Sequence, residues 1–248
     1  NLPSDQLTEG TTFVATDGVA ARQLEAHLAQ RQLAEGRTAW TGPAVLSYRA
    51  WTRALWIQHR SHDGRQLLTA GQVQALWRRI IEQSPISNRL IGSQNVVRWA
   101  IDAAQRLRDW QVDVEQLRPG GEDQEFSSFL EWTNDYRALL NDAGWLDPGE
   151  AEVLLRNSTE ALQIGTNRTT IWSDFDPMPG QRRLGERLKR DGYRFGSWQP
   201  EEVNERCHRL GLANSTEELQ AAGRWAARKL SADPNRRLAI VVPNLTRR

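Results

Sequence analysis

The sequence is poor in several residue types that common functional sites require. Its 248 residues include one cysteine, Cys207, and four histidines. A single cysteine excludes a disulfide within the chain and a zinc site built from clustered cysteines. Among the histidines only His59 and His62 stand close together, and without a third ligand nearby they do not form a metal motif. The sequence therefore predicts no metal site and offers no pattern for a bound cofactor.

Long apolar runs are also missing. The longest, such as residues 238–243, are far shorter than the ~20 residues that span a bilayer, and no signal sequence opens the chain. With 39% hydrophobic residues and a mean hydropathy of −0.65, the composition is that of a soluble globular protein with one large or two small domains. We expect a cytoplasmic protein with no membrane partner. Because the chain opens on Asn1 and closes on an apolar run followed by Arg247 and Arg248, it is interpreted as a fragment of a larger protein.

The formal net charge is only +1, but the charge is unevenly distributed along the chain. Residues 41–108 carry ten arginines and three acidic residues, a net of +7. Residues 109–165 carry thirteen acidic residues and three arginines, a net of −10. Such asymmetry creates local potentials that steer a polyanion or a charged partner. The alternative is that these segments are solvated helix faces that pair with each other.

The pattern of apolar residues predicts an α/β fold with a large helical insertion. Alternating and β-branched runs predict strands near residues 12–16, 44–47, 169–174, 193–197 and 238–243. Between the second and third strands every apolar pattern repeats at three and four, so residues 48–158 are predicted to be wholly helical. Strands that alternate with helices favour a parallel sheet covered on both faces. We therefore expect a core formed by residues 1–47 and 159–248, with residues 48–158 as an inserted helical subdomain.

The eleven tryptophans are candidates either for the core or for stacking on nucleic-acid bases. Four of them lie on apolar helix faces and are predicted to be core residues, namely Trp77, Trp99, Trp132 and Trp225. Trp51 and Trp56 are flanked by Arg49 and Arg53, and we expect these two tryptophans to be exposed. Helical spacing places Arg49, Arg53 and Trp56 on one face. The DNA-binding candidates are therefore Arg49, Trp51, Arg53 and Trp56.

Several segments in their order along the chain resemble one bacterial protein family. They are Phe13 to Thr16 with Ala20 to Leu24, Thr41 to Trp56, Gly144 to Asp147, Ser173 to Gln181, Glu217 to Ala226 and Ala239 to Leu245. In this order they resemble the N-terminal, helicase-like part of AddB-type helicase-nuclease subunits and of DNA repair proteins similar to the exodeoxyribonuclease V gamma subunit. The resemblance implies a P-loop fold of the superfamily-one helicase type. It also implies a nuclease domain of the same parent chain, beyond residue 248.

The loop after the first predicted strand departs from a working P-loop. Such a loop needs a glycine-rich turn, whose N–H groups hold phosphates, and a lysine that reaches the β- and γ-phosphates. Here Asp17, Gly18 and Arg22 occupy the turn, and Asp17 would repel a phosphate. The chain has only two lysines, Lys189 and Lys229, and neither follows a glycine loop. The P-loop is therefore predicted to be degenerate, with no nucleotide bound.

Neither the second nucleotide motif nor a nuclease motif is present in its usual form. If Gln181 is aligned with the glutamine that follows the acidic pair of active helicases, Trp172 and Ser173 stand where Asp and Glu belong. Asp174 and Asp176 are interpreted as a turn that caps the next helix rather than as metal ligands. The Asp/Glu-x-Lys pattern of a metal-dependent nuclease is absent at both lysines. No catalytic residue is therefore predicted in this chain.

These observations favour a catalytically inactive helicase-like domain of a DNA repair and recombination enzyme, which acts as a scaffold and as part of a path for single-stranded DNA. Phosphate contacts and base stacking do not need ATP, so such a domain could still hold a strand weakly. Its expected partners are DNA, a helicase partner subunit and the nuclease domain of its own parent chain. Two alternatives stay open, a protein-interaction module without DNA contact and an unrelated α/β enzyme.

Overall fold

The computed structural model describes residues 10–59, 64–87, 93–112, 124–159, 169–173, 176–198 and 209–242. The chain divides into two units, residues 1–201 and residues 202–248, which are described separately. Over the described residues the protein is mixed α/β, with a parallel sheet of four strands and eight helices. The elements of the first unit, in chain order, are β1 (Thr11–Ala15), α1 (Gly18–Ala34), β2 (Ala44–Ser47), α2 (Tyr48–His59), β3 (Gln66–Leu67), α3 (Ala70–Gln83), α4 (Ser93–Asp109), α5 (Gln124–Ala143), β4 (Trp145–Leu146), α6 (Pro148–Asn157), β5 (Thr169–Ser173), α7 (Pro179–Arg190) and β6 (Arg194–Trp198).

The four-stranded sheet is parallel throughout, as the sequence predicts, with the strand order β2-β1-β5-β6. Val14 of β1 lies opposite Leu46 on one side and Trp172 on the other. The four strands end at Ala15, Ser47, Ser173 and Trp198, and this side of the sheet is called the carboxyl edge below. The chain order reverses between β1 and β5. In open α/β sheets, ligands bind outside the carboxyl ends of the strands at such a reversal.

Successive residues of each strand point to opposite sides of the sheet. Because apolar residues occur on both sides, helices cover both faces. On one face, Phe13 and Ile171 pack against Leu24 and Leu28 of α1. On the other face, Val14 belongs to a larger cluster formed by residues of α2, α6 and α7. Trp51 of α2 meets Phe195 edge to face, with 6.2 Å between ring centroids. This second cluster fixes α2 and α7 on the same side of the sheet.

The helices α3, α4 and α5 have a core of their own, separate from both faces of the sheet. Trp77 and Tyr136 stack at its centre with 4.9 Å between ring centroids. At the base of this helical body, β3 and β4 pair in parallel, with Gln66 opposite Trp145 and Leu67 opposite Leu146. The helices α2 and α6 also lie within residues 48–158, but they pack against the sheet. The proposed boundaries of the insertion stay a prediction.

The prediction that residues 48–158 are wholly helical is wrong, because β3 and β4 lie inside this range. Each has only two residues, too few for a repeat of period two to be visible in the sequence. The pair is held by backbone hydrogen bonds on either side, from Gln66 N to the Gly144 carbonyl (3.0 Å) and from Leu68 N to the Leu146 carbonyl (2.9 Å). Pairing between residues about eighty positions apart leaves no local signal.

The second unit contains α8 (Ser215–Ala232). The side chain of Asn214 caps this helix by accepting a hydrogen bond of 2.9 Å from Glu217 N. The predicted strand at 238–243 is wrong for its described residues, since 238–242 form no strand. Val241 is 87% exposed there, whereas a strand inside a parallel sheet would be covered on both faces. The predicted core tryptophan of α8, Trp225, is 42% exposed.

Candidate nucleic-acid interface

Three helices begin at the carboxyl edge of the sheet. The helix α1 follows β1 after Thr16 and Asp17, α2 follows β2 directly, and α7 begins at Pro179, six residues after β5 ends at Ser173. Each helix N-terminus presents backbone N–H groups and the positive end of a helix dipole, which favours negative charge. The carboxyl edge therefore brings three helix N-termini to one side of the sheet.

At the first of these N-termini, the protein supplies its own negative charge. The Asp17 carboxylate accepts hydrogen bonds from Val19 N (2.7 Å) and Ala20 N (2.9 Å). These bonds from Ala20 and Val19 hold the pKa of Asp17 below its usual value. A methyl group on Gly18 would lie 3.7 Å from Nη1 of Arg22, so the structure brings Asp17, Gly18 and Arg22 together. The N–H groups that hold a phosphate in a P-loop here bind the Asp17 carboxylate instead.

At the second N-terminus, the structure separates the arginines of the predicted DNA-binding group from its tryptophans. Arg49 and Arg53 are exposed, one turn apart on α2. Trp51 is 4% exposed and Trp56 is 3% exposed, so the expectation that they are exposed is wrong. Both rings pack in the core between α2 and the sheet. In this structure, neither ring is available for a base to stack on.

The carboxyl end of α4 also lies at this edge, because it packs against the start of α7. A methyl group built on Gly180, in the first turn of α7, would lie 2.9 Å from the carbonyl oxygen of Asp109 and 3.1 Å from that of Arg108. The Asp109 carboxyl accepts a hydrogen bond of 2.8 Å from Gln105 Nε2. Burial raises the pKa of Asp109, while positive charges, among them Arg49, lower it. The end of α4 therefore packs against the first turn of α7.

Beyond the end of α4, Trp110 is 56% exposed. The next residue, Gln111, adopts a positive φ of 56°, and its side-chain oxygen accepts a hydrogen bond of 2.9 Å from Nη1 of Arg183 in α7. Sequence reasoning missed Trp110 and Arg183. The +7 segment ends two residues before Trp110, which is the only signal that pointed to this position.

At the third N-terminus, polar side chains form hydrogen bonds around the start of α7. Asp174 lies outside the described residues. Asp176 does not cap α7 as predicted, and instead its carboxylate lies 2.7 Å from Nη2 of Arg182. The cap is formed by Gln181, whose side-chain oxygen accepts a hydrogen bond of 2.8 Å from Met178 N. Trp172 is half-buried and meets Phe195 edge to face, and Ser173 is buried.

A buried polar network fixes the end of α4 against α2, α5 and α6. The Tyr48 hydroxyl donates a hydrogen bond of 2.9 Å to Glu152, and the Tyr136 hydroxyl donates one of 2.8 Å to Asp147. Nη2 of Arg108 lies 3.5 Å from the Asp147 carboxylate. The nearby cavity, of about 180 Å³, is lined by Arg108, Arg137, Glu150 and Arg156 among apolar side chains. Since the arginines of the network face carboxylates, we interpret it as structural.

The remaining predicted tryptophans divide between core and surface. Trp77 and Trp132 are buried in the helical body, as predicted. Trp99 is 61% exposed on α4, so its assignment to the core is wrong. The apolar stripe of α4 is narrow, and Val97, Ala100 and Ala104 fill it without Trp99.

Over the described residues, no group of three or more His, Cys, Asp or Glu side chains is placed to hold a metal ion. No helix in that part of the chain is both long and apolar enough to cross a membrane. The sequence matches no protein-family model and no curated protein. The function therefore has to be inferred from the carboxyl edge and from the order of motifs in the sequence.

Proposed function

We propose that this chain is a catalytically inactive helicase-like domain of a bacterial DNA repair helicase-nuclease, and that its carboxyl edge forms part of a path for single-stranded DNA. The fold would be a degenerate version of the superfamily-one P-loop type. The parallel sheet, the α1 N-terminus two residues after β1 and the order of motifs support this proposal. The nuclease of such a protein would belong to another part of the parent chain.

The observation that carries the proposal is the position of Arg49 and Arg53. Both are exposed and lie one turn apart at the start of α2, where the carboxyl edge and a helix N-terminus coincide. Arginine side chains on a helix can contact successive phosphates without reading the bases. Because Asp17 occupies the neighbouring α1 N-terminus, a phosphate chain would be drawn to the α2 side of the edge.

The test is a titration of the protein with a fluorescent oligo(dT) at several salt concentrations. Each phosphate neutralised on a single strand contributes about −0.7 to the slope of log affinity against log salt. We expect weak binding by the unchanged protein, and a slope that is flatter by about one unit when Arg49→Ala and Arg53→Ala are combined.

The matched control combines Arg79→Ala with Arg98→Ala. These two arginines belong to the same +7 segment and are exposed on α3 and α4 of the helical body. They should leave the slope unchanged if the carboxyl edge, rather than the overall charge, holds the strand. Undetectable binding at low salt, or equal flattening by both double variants, would contradict a DNA path at this edge.

A second candidate function is docking of a partner protein, such as a helicase subunit, without DNA contact. The exposed Trp99 on α4 and the opposed charges of residues 41–108 and 109–165 favour it. Exposed tryptophans are common anchors of protein interfaces. Under this alternative, DNA would not bind, and Trp99→Ala would weaken capture of the partner subunit.

A further inference from the structure

Trp110 is the exposed aromatic residue that the described structure places at the carboxyl edge. It follows α4, whose last carbonyl groups meet the first turn of α7 at Gly180. Its two chain neighbours interact with arginines from two other helices. Gln111, after it, accepts a hydrogen bond of 2.9 Å from Arg183 on α7. Asp109, before it, has a pKa that burial raises and that the positive charge of Arg49 on α2 lowers slightly. Trp110 therefore directly precedes a residue that binds the exposed Arg183.

The backbone of Trp110 is fixed by the way α4 ends. Trp110 N donates to the Arg106 carbonyl (2.9 Å), Gln111 N to that of Arg108 (3.2 Å) and Val112 N to that of Leu107 (2.9 Å). Gln111, with its positive φ, is the left-handed residue with which a helix commonly ends. A fixed backbone removes part of the ordering cost that is incurred when a ligand stacks on the ring.

We propose that Trp110 is the platform on which a base of the single strand stacks, while Arg183 on α7 and Arg49 on α2 bind phosphates of the same strand. This inference rests on the proposed function, since it specifies how the same edge holds DNA. Stacking on an aromatic face accepts any base, and proteins that bind single strands combine it with positive charge along the backbone. Here Arg183 supplies such a charge next to the end of α4, and Arg49 supplies another in the first turn of α2. A flat apolar partner surface would instead have to bury Arg49, Arg183 and Asp109 together with the ring, at a cost in desolvation.

The experiment compares oligo(dT) with an abasic oligonucleotide of the same length. Trp110→Ala should weaken binding of oligo(dT) by about 5-fold to 150-fold, the range seen when one stacked base is lost. It should leave binding of the abasic strand and the salt slope unchanged, because the ring contacts no phosphate. Trp110→Phe, which keeps an aromatic face, should restore most of the affinity. Arg183→Ala should flatten the slope by about 0.7.

Trp99→Ala is the matched control, because Trp99 is an exposed tryptophan on the same helix, about 15 Å along its axis from the end. It should bind both strands like the unchanged protein. The inference is overturned if Trp110→Ala binds oligo(dT) normally, if it weakens the abasic strand equally, or if Trp99→Ala has the same effect. In those cases a flatter slope for the Arg49 and Arg53 double variant would leave the proposed function standing. Absence of binding to either strand by the unchanged protein would refute both.

Discussion

At the residue scale, Glu152 is the buried carboxyl group that should dominate the response of this fold to pH. It accepts the hydrogen bond from Tyr48, and its carboxylate lies 4.0 Å from Nη1 of Arg156. Burial raises the pKa of Glu152 to about 7, which outweighs the lowering effect of the Tyr48 hydroxyl and of Arg156. Asp109 raises it further by repulsion, and Arg108 lowers it. The folded protein therefore holds this proton up to near-neutral pH.

We expect the free energy of unfolding to fall as the pH rises from about 4.5 to about 7. In this window Glu152 is protonated in the folded protein and ionised in the unfolded chain, so the folded state binds more protons and loses stability with each step in pH. A shift of this size corresponds to at most about 3 kcal/mol. Urea unfolding at about pH 5, 6, 7 and 8 measures it.

Glu152→Gln should be less dependent on pH in this window and more stable than the unchanged protein above about pH 7. Some dependence will remain, because burial also raises the pKa of Asp109 and Glu150. Glu186→Gln, at an exposed position of α7, is the control and should keep the full dependence. Stability that stays constant or rises between about pH 5 and pH 7 would contradict the role of Glu152.

Asp17 supports a prediction about nucleotides. We expect calorimetric titration with ATP or ADP and Mg²⁺ to show no binding at physiological concentrations, because the Asp17 carboxylate occupies the N–H groups of α1. Asp17→Ala should not create binding, since no lysine stands beside the loop. Heat of binding that disappears in Asp17 or Arg22 variants would show that the loop holds a nucleotide after all.

At the element scale, the helix ends with local caps were predictable from the sequence. Thr69 and Gln72 form a capping box at the start of α3, and Asp147 caps α6 ahead of Pro148. These bonds join residues two or three positions apart, so the sequence contains the whole signal. The packing of α4 against α7 brings Asp109 next to Gly180. These residues are far apart in the chain, so no local sequence pattern predicts the contact. For this reason the sequence indicated Arg49 and Arg53 but not Trp110 or Arg183.

The contact between α4 and α7 gives a test of its own. Gly180→Ala should destabilise the protein by roughly 1–3 kcal/mol, because the new methyl group would collide with the Arg156 side chain and with the carbonyl of Asp109. Gly71→Ala is the control, since a methyl group in that first turn of α3 meets nothing within 4 Å. Urea unfolding of both variants decides the point, and equal stability of Gly180→Ala and the unchanged protein would show that the junction is loose.

At the scale of the whole molecule, the parallel sheet was predictable but the number of its strands was not. The strands β1, β2, β5 and β6 lie where apolar runs predict them. The described part of the run at 238–243 is as apolar as they are, yet no strand forms there. Hydrophobic pattern shows that a segment can be a strand, whereas pairing depends on a free edge elsewhere in the fold. The burial of Trp51 and Trp56 is likewise a property of how α2 meets the sheet.

The short pairing of β3 with β4 has a consequence for how the protein can evolve. Paired strands lie about 5 Å apart, so the chain enters and leaves the body formed by α3, α4 and α5 at adjacent points. A module attached in this way can be gained, lost or exchanged through two neighbouring cuts without moving the strands of the sheet. Such a joint allows the helical body to vary in length and surface while the four strands of the sheet keep their register.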